Sequence, residues 1–235
     1  MALDTRDVAG LDALGLMEQE ADRCKRFFET ADEATWMRET RCAGWDVRDL
    51  LSHLAGVETY HLACLDDDIA HLFEEAAEGG ATDVHGFNDW IVRVRRERSR
   101  DEVVEEWLTK NAEVRRRMRE LGEGGTMASS VGPYPVDLMA FHIASEYATH
   151  ADDMDVPIDE SEVSDRSAWR ARVSRFALKE AEKPVTVDQR GNTYIVTTGG
   201  KSATLTEHDF VEAVTARPTK VELDPELRKA LVALA

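Results

Sequence analysis

Four polar side chains recur at helical spacing along the segment DLMAFHIASEYATHADDM. His142, Glu146, His150 and Asp153 follow one another at steps of four, four and three residues, so on a helix they share one side. That side has the phase of a bundle interior, where a carboxylate or an imidazole without a partner is costly. The spacing therefore predicts either mutual pairing of these groups or a bound cation.

A metal ion is one way to satisfy such a group. A Glu and a His four residues apart can ligate one ion from adjacent turns, and bundles complete such sites from facing helices. The best third ligand is His53, which lies three residues after Leu50 and four before Val57 on an otherwise apolar face. On spacing alone, the Glu146–His150 pair can equally be a solvent-exposed helix pair, and His53 a hydrogen-bonded core residue.

The elements that must position these residues are mainly helices. Apolar residues at three- and four-residue steps predict four helical regions, over about residues 14–28, 47–75, 87–121 and 135–155. Asp46 is the expected N-cap of the second region, and Ser99 with Glu102 forms a capping box in the third, whose buried stripe is expected to include Val104. Pro135 suits the first position of the last helix. Four such helices predict a four-helix bundle.

The periodicity changes near the C-terminus. PVTVDQ, TYIVTTG and KSATLT alternate as strands do, with hairpin turns at RGN and GGK. Two helical segments follow, EHDFVEAVTAR and DPELRKALVALA, the latter with Asp224 as its cap. The expected fold is α+β and mainly helical. Its parts are a four-helix bundle over residues 1–156, a linker with one helix over residues 157–183, and a small α/β domain over residues 184–235.

Charge and composition exclude several classes of function. The formal net charge is −18, and such a surface repels nucleic acids and anionic membranes. The hydrophobic fraction of 43% argues against a disordered acidic tail. Neither a secretory signal nor a membrane-spanning segment is expected. Three widely spaced cysteines without a CxxC motif suggest no disulfide framework or zinc ribbon, so we expect a cytoplasmic protein.

Two segments resemble the motifs of a known family. TRCAGWDVRDLLSHLAG resembles the cysteine–x–glycine–tryptophan motif that opens the metal-bearing helix of mycothiol-dependent maleylpyruvate isomerase-like proteins, which belong to the DinB-like four-helix bundles. SEYATHADDMDVP resembles their second motif, a Glu and a His four residues apart followed by an Asp. The two motifs occur in the family's order, so the resemblance implies a DinB-like bundle with a small C-terminal α/β domain.

The resemblance also implies a set of site residues. A divalent metal, usually zinc, would be held by His53, Glu146 and His150 as a catalytic set, with Asp153 orienting a ligand or capping the helix. The resemblance assigns no role to His142 or His61: each could face the substrate pocket or simply pack, and unmatched helix histidines are usually structural. Arg217 follows a helix as in the family, where an Arg would face the substrate carboxylate, although Ala216 stands where the family has Gly. The alternative for Arg217 is an interaction with the dipole at the end of its helix.

The implied chemistry is thiol activation. Zinc has no redox chemistry and lowers the pKa of a bound thiol or water. Cys24, Cys42 and Cys64 are poor nucleophile candidates, so we expect the thiol to come from a small molecule. The resemblance implies that this cosubstrate is mycothiol or a related small thiol. The enzyme would add it to an electrophilic small molecule, as an S-transferase or a cis–trans isomerase. A hydrolase that uses bound water, and a metal-holding bundle that binds a small molecule without catalysis, remain as alternatives.

Overall fold

Two structural units make up the chain. The computed structural model describes residues 3–122 and 124–234. The unit that we call the bundle unit is Ala13–Val156, and the C-terminal unit consists of residues 3–12 together with residues 157–234. The N-terminal segment thus packs with the C-terminal part of the chain, where, for example, Arg172 donates to the carbonyl oxygens of Asp7 and Ala9.

The bundle unit is helical, as the sequence predicts. Its elements in chain order are α1 (Ala13–Thr30), α2 (Glu33–Trp36), α3 (Val47–Asp66), α4 (Ile69–Glu78), α5 (Val84–Arg93), α6 (Arg100–Leu121), β1 (Thr126–Met127), β2 (Tyr134–Pro135) and α7 (Val136–Asp153). The four long helices form the bundle, with α1 packed along α7 and α3 along α6. The short strands β1 and β2 pair antiparallel just before α7.

The starts of the long helices follow from local chemistry. Asp46 caps α3 by accepting a hydrogen bond from the backbone N–H of Asp49. Ser99 and Glu102 form both bonds of a capping box at α6. The buried stripe of α6 centres on Trp107, whose ring meets Phe28 of α1 and Tyr147 of α7 edge-on. These contacts hold three of the four long helices together.

Three details of the bundle differ from the sequence predictions. The second helix was predicted to reach about residue 75, but α3 ends at Asp66 because Asp67 adopts a left-handed conformation with φ 57°. Three consecutive Asp residues explain the break, since negative charge is unfavourable at a helix C-terminus and Asp tolerates this conformation. Of the two adjacent valines near the start of α6, Val103 is fully buried and Val104 is not. Pro135 is the N-cap of α7, one residue before the predicted position.

The C-terminal unit combines a small sheet with three helices. Its elements are α8 (Val163–Glu180), β3 (Thr186–Arg190), β4 (Thr193–Thr198), β5 (Lys201–Thr206), α9 (Glu207–Val214) and α10 (Pro225–Leu231). The strands are antiparallel in the order β3-β4-β5. Positive φ angles at Gly199 and Gly200 form the tight turn between β4 and β5. The α+β fold class is confirmed.

A single apolar core holds the C-terminal unit together. The rings of Tyr194 in β4 and Phe210 in α9 stack with centroids 4.4 Å apart. Ala171 and Leu178 of α8 belong to the same cluster. The helix expected within residues 157–183 is therefore packed against this sheet. In the described part of the chain, no helix has the length and apolar character that crossing a bilayer would require.

Candidate functional site

The site begins where α3 and α7 meet. His53 lies on the second turn of α3 and is buried, while Glu146 lies in the middle of α7 and is partly accessible. The distance between Nε2 of His53 and Oε1 of Glu146 is 3.2 Å. The Trp45 ring, which precedes α3, packs on the His53 imidazole with centroids 5.2 Å apart. The tryptophan of the first motif thus fixes the histidine of the same motif.

His150 completes a group of three potential ligands. It lies one helical turn after Glu146, and its ring meets that of His53 edge-on with centroids 4.9 Å apart. His53, Glu146 and His150 each offer a ligand atom, and these atoms all lie within 4.8 Å of one another. We call this group the His53 triad. The structure therefore brings together the three residues that the sequence motifs indicated.

The donor types of the His53 triad, and one of its distances, are compatible with a tetrahedral metal ion. Bonds of about 2.0–2.2 Å from zinc to nitrogen or oxygen place neighbouring ligand atoms about 3.3–3.6 Å apart. The 3.2 Å between His53 and Glu146 is close to such a tetrahedral edge. Two imidazoles and one carboxylate are also a donor set that zinc uses in catalytic sites, where a fourth position stays open.

Asp153 contacts the His150 ring of the His53 triad. Its Oδ2 atom lies 3.0 Å from Nδ1 of His150, so Nε2 is the nitrogen of His150 that could bind a metal ion. The Cys42 thiol donates to the same oxygen at 3.3 Å. The backbone N–H of Arg41 donates to the carbonyl oxygen of Asp153 at 3.1 Å. Asp153 is buried and contacts His150, an arrangement in which a carboxylate can orient an imidazole ring.

The contact between Cys42 and Asp153 was missed by sequence reasoning. The sequence indicates Cys42 only as the first residue of its motif and as a poor nucleophile candidate, yet Cys42, His150 and Asp153 also bring potential ligand atoms within 4.8 Å of one another. The only signal in the sequence is that Cys42 and Asp153 belong to the two motifs that supply the three potential ligands of the His53 triad. Spacing along the chain could not reveal it, because these residues are 111 positions apart.

Opposite charges shift two pKa values in the site. Burial works to raise the pKa of Glu146, but the hydrogen bond with His53 and the charges of nearby histidines outweigh it and lower the pKa to about 2. Burial works to lower the pKa of His150, but Asp153, Cys42 and Glu146 outweigh it and raise the pKa to about 9. The lowered pKa keeps Glu146 negatively charged and the raised pKa keeps His150 positively charged, so each group stabilises the charge of the other.

The cysteines other than Cys42 lie in the core. Cys24 and Cys64 are buried, and all three cysteines are free thiols. Burial raises the pKa of the Cys64 thiol to about 11, despite a hydrogen bond with Tyr60 that works to lower it. The thiolate is the reactive form, so this thiol is a poor nucleophile.

A second polar cluster lies inside the bundle. Glu58 of α3 is fully buried, and its two oxygens are partnered by the Asn111 amide at 2.8 Å and by Nδ1 of His61 at 3.3 Å. The same Asn111 amide also donates to the Tyr147 hydroxyl at 2.7 Å. We call Glu58, His61, Asn111 and Tyr147 the Glu58 cluster. It links α3, α6 and α7 and gives His61 a fixed place.

Two further predicted residues are not members of the His53 triad. His142 is one turn before Glu146, and its Nε2 atom lies 3.1 Å from the Tyr134 hydroxyl. Arg217 belongs to the C-terminal unit. Its backbone N–H donates to the Glu212 carbonyl at 2.7 Å, and its guanidinium donates to the Thr215 carbonyl at 2.9 Å. The contacts of Arg217 thus close the end of α9.

Comparisons with known proteins agree with the motifs. A model of the family described as mycothiol maleylpyruvate isomerase N-terminal domain matches residues 17–155. No curated protein matches the chain.

Solved structures share the fold. A crystal structure of the mycothiol-dependent maleylpyruvate isomerase aligns with a TM-score of 0.62 at 16% identity, over 89% of this chain and 90% of that one. A crystal structure of a histidine-to-alanine mutant of the mycothiol-dependent maleylpyruvate isomerase aligns with a TM-score of 0.63 at 15% identity, over 91% and 95% of the two chains. The resemblance expected from the sequence is confirmed. Because the family model covers more than half of the residues and includes the whole His53 triad, the chain belongs to the mycothiol maleylpyruvate isomerase N-terminal domain family.

Proposed function

We propose that the protein is a metal-dependent enzyme that activates a low-molecular-weight thiol, mycothiol or a related one, for addition to an electrophilic small molecule. The observation that carries the proposal is the convergence of three potential metal ligands within 4.8 Å in a chain of this family. The family and the fold shared with mycothiol-dependent maleylpyruvate isomerase support a thiol-dependent isomerase. An S-transferase is the second form of the same chemistry.

In this proposal, three residues of the site bind the metal and two others orient them. His53, Glu146 and His150 would hold a divalent metal, for which zinc suits the donor set best. When bound, such an ion supplies Lewis acidity that lowers the pKa of a thiol. Asp153 would keep the His150 ring oriented, and Trp45 would do the same for His53. These contacts, together with the burial of His53, would keep the ligands in one geometry before substrate arrives.

The thiol would come from a small molecule. Cys24 and Cys64 are buried, and Cys42 already donates to Asp153. Addition of an external sulfur and its proton across an activated double bond gives an S-conjugate, which is the transferase product. Rotation about the new single bond and loss of the thiol gives the isomerised product. A reducing compartment such as the cytoplasm suits this chemistry, since it keeps both the cosubstrate and the three free cysteines reduced.

Arg217 is proposed as an anion-binding residue for the cosubstrate or substrate. This rests on its family position after a C-terminal helix, while its hydrogen bond to Thr215 supports the competing role in closing α9. The two roles are separable by kinetics. An Arg217→Ala variant with a raised KM and an unchanged unfolding midpoint supports anion binding, whereas a lowered midpoint with an unchanged KM supports the structural role.

Metal analysis tests the triad. Purified protein should contain about one zinc ion per chain, and replacing His53, Glu146 or His150 by Ala should abolish it. The matched controls are His71→Ala and His85→Ala, because His71–Glu75 and His85–Asp89 are also helical pairs four residues apart but are exposed. Both controls should keep the metal. A protein without metal after zinc loading, or triad variants that retain zinc fully, would refute the assignment.

Thiol consumption tests the activity. The zinc-loaded protein should consume mycothiol in the presence of maleylpyruvate-like or other activated alkenes, or catalyse their isomerisation with the thiol unchanged. Each triad variant should lower this rate by at least 100-fold. Bound zinc without any thiol chemistry would instead point to a hydrolase or to a binding protein.

A further inference from the structure

The C-terminal unit contains a cavity that the proposed function does not use. Its volume is about 280 Å³, and every residue that lines it belongs to this unit. The wall is formed by the N-terminal segment, α8, β3, β4 and the first residue of α9, and its charged members are Arg6, Asp7, Arg172, Arg175 and Glu207. Small-molecule sites begin at roughly 300 Å³, so a ligand of this cavity would be a small one.

Three of the five charges are already matched by neighbouring side chains. The Arg6 guanidinium donates to both carboxylate oxygens of Asp4, at 2.8 and 2.6 Å. Asp7 has Nη2 of Arg175 at 3.0 Å from one oxygen and Nζ of Lys179 at 2.6 Å from the other. These pairs build the wall of the cavity, and they leave Arg172 and Glu207 as the two charges to be explained.

Arg172 is fixed in place by neutral acceptors. Its Nε and Nη2 atoms donate to the backbone carbonyls of Asp7 and Ala9, at 2.8 and 2.6 Å. Among the residues that the structure describes, no group accepts from Nη1 of Arg172 and no carboxylate forms an ion pair with its guanidinium. The side chain is half-buried. Two hydrogen bonds thus fix the plane of the guanidinium, while its full positive charge remains available to a ligand.

Glu207 supplies the opposite charge. Its Oε2 atom accepts from the Tyr194 hydroxyl at 3.3 Å. Tyr194 is only 1% exposed, and its ring is stacked on Phe210, so it holds the carboxylate at the edge of the core. Burial, together with the charge of Glu207 and this hydrogen bond, raises the pKa of Tyr194 to about 12, so the hydroxyl stays a donor. In the described part of the chain, no cation forms an ion pair with Glu207.

We propose that this cavity binds a free amino acid, whose carboxylate contacts Arg172 and whose ammonium group contacts Glu207. The two side chains line one cavity but form no ion pair with each other. A simple anion would be repelled by Glu207, and a simple cation by Arg172, whereas a zwitterion satisfies both charges. The planar guanidinium also matches a carboxylate geometrically. Arg172 and Glu207 are the binding residues, and Tyr194 is a positioning residue.

Ligand-observed NMR by saturation transfer tests this inference on the full chain, with and without zinc. The probes are L-alanine and 4-aminobutyrate, whose charged groups are separated by one and by three carbons. Propionate and butyrate lack the ammonium group, and ethylamine and butylamine lack the carboxylate. We expect at least one amino acid to bind about 10-fold or more tightly than both of its analogues, since each lost contact is a charge-assisted hydrogen bond. Zinc should not change this preference.

Two variants identify the binding residues. Glu207→Gln keeps the shape of the side chain and an acceptor for Tyr194, and it should reduce the preference over the analogue without ammonium to less than about 2-fold. Arg172→Gln should weaken amino acid binding by about 10-fold or more. The matched controls are Glu222→Gln and Arg228→Gln, two exposed residues of the same unit that do not line the cavity. Both should bind as the parent protein does.

The hydrogen bonds of Arg172 to the N-terminal segment require a stability control. The urea midpoint of each variant is therefore measured, and if Arg172→Gln lowers it, Glu207→Gln alone decides. Failure of both amino acids to bind overturns the inference. Equal binding of the amino acids and their analogues, or a preference that survives in Glu207→Gln, overturns it as well. None of the probes carries a thiol, so these results are independent of the chemistry proposed for the His53 triad.

Discussion

The Sγ atom of Cys42 lies 3.3 Å from Oδ2 of Asp153, the same oxygen that is hydrogen-bonded to Nδ1 of His150. A residue before α3 thus acts on a triad residue of α7 through one carboxylate. Arg41 adds a backbone hydrogen bond and a guanidinium nitrogen 3.7 Å from Oδ1 of Asp153. The Arg–Cys segment of the first motif and the last turn of α7 are therefore linked by several polar contacts.

Removal of the Cys42 thiol should weaken metal binding. Cys42→Ala takes away a donor to Oδ2 of Asp153, so the carboxylate and the His150 ring gain freedom. We expect a loss of zinc affinity of about 10-fold, the lower limit of what such supporting contacts contribute. Competition with a chromophoric chelator measures this affinity.

Cys42→Ser is the matched control, since its hydroxyl can donate to the same oxygen. It should retain zinc affinity within a factor of about 3, whereas Cys42→Ala should not. Equal affinities for the parent protein and both variants would contradict an orienting role for Cys42.

The Glu58 cluster should be a major source of bundle stability. Asn111→Ala removes the amide that partners Glu58 and Tyr147. A fully buried carboxylate then loses a hydrogen bond, which should lower the free energy of unfolding by about 3 kcal/mol. Urea denaturation followed by circular dichroism measures the loss.

Thr109→Ala provides the comparison, because Thr109 is exposed on the same helix. Its effect should stay within about 0.5 kcal/mol. A similar loss for both variants would mean that the cluster contributes nothing beyond the helix itself.

Ala216→Gly should stabilise the C-terminal unit. Ala216 is exposed and has φ 60°, a left-handed conformation that costs an L-residue about 1 kcal/mol relative to Gly. It directly follows the C-cap of α9, a place where Gly is favoured. The family that the sequence resembles also has Gly at this position. We expect a gain of about 1 kcal/mol in the free energy of unfolding of this unit.

Ala213→Gly tests the same substitution inside α9, where the residue is buried and helical. It should destabilise by about 1 kcal/mol or more, the opposite sign. Destabilisation by both changes would refute the argument from backbone conformation.

Glu106 should make the bundle unit sensitive to acid. Burial works to raise its pKa, but hydrogen bonds and charges from Arg95 and Lys110 outweigh it and lower the pKa to about 2. Because the pKa is lower in the folded state than its ordinary value of 4.5, the stabilisation is fully present above about pH 4.5. It is lost as the pH falls from there towards 2.

The measurement is the urea midpoint as a function of pH for the parent protein and for Glu106→Gln. The difference between the two should be on the order of 3 kcal/mol at pH 6 and should shrink below pH 4.5. Glu105→Gln, a change at the exposed neighbouring position, should follow the parent curve. A difference that is independent of pH would show that packing, and not the carboxylate charge, is what Glu106 contributes.

Local signals predicted much of the fold. Asp46, Ser99 and Asp224 each cap the helix that the sequence assigned to them, because a cap needs only a side chain and the next three residues. The three C-terminal strands were predicted from alternation and two turn motifs, which are equally local.

The predictions failed where local preferences compete. At Asp67 the apolar periodicity continues, but three adjacent carboxylates and a left-handed residue end the helix. Val103 and Val104 differ by about 100° on the helix, so periodicity alone could not choose between them.

Tertiary contacts in the site had a different origin. Helical spacing placed Glu146 and His150 on one side of a helix and marked His53 as a histidine on an apolar face, but their proximity depends on how α3 and α7 pack. The contact between Cys42 and Asp153 had no local signal at all. It arises from packing between the start of α3 and the end of α7.

The distance along the chain between His53 and Glu146 has a thermodynamic consequence. These residues are separated by 93 positions, so the triad does not exist in any short fragment and forms only when the bundle folds. Loss of folded protein is therefore loss of the binding site, and anything that binds the triad draws the folding equilibrium towards the native state. Substitutions far from the triad, such as one in the Glu58 cluster, should weaken apparent ligand affinity wherever the unfolded population becomes appreciable. Affinity and stability are linked quantities in this protein, and a change in one is interpretable only when the other is measured too.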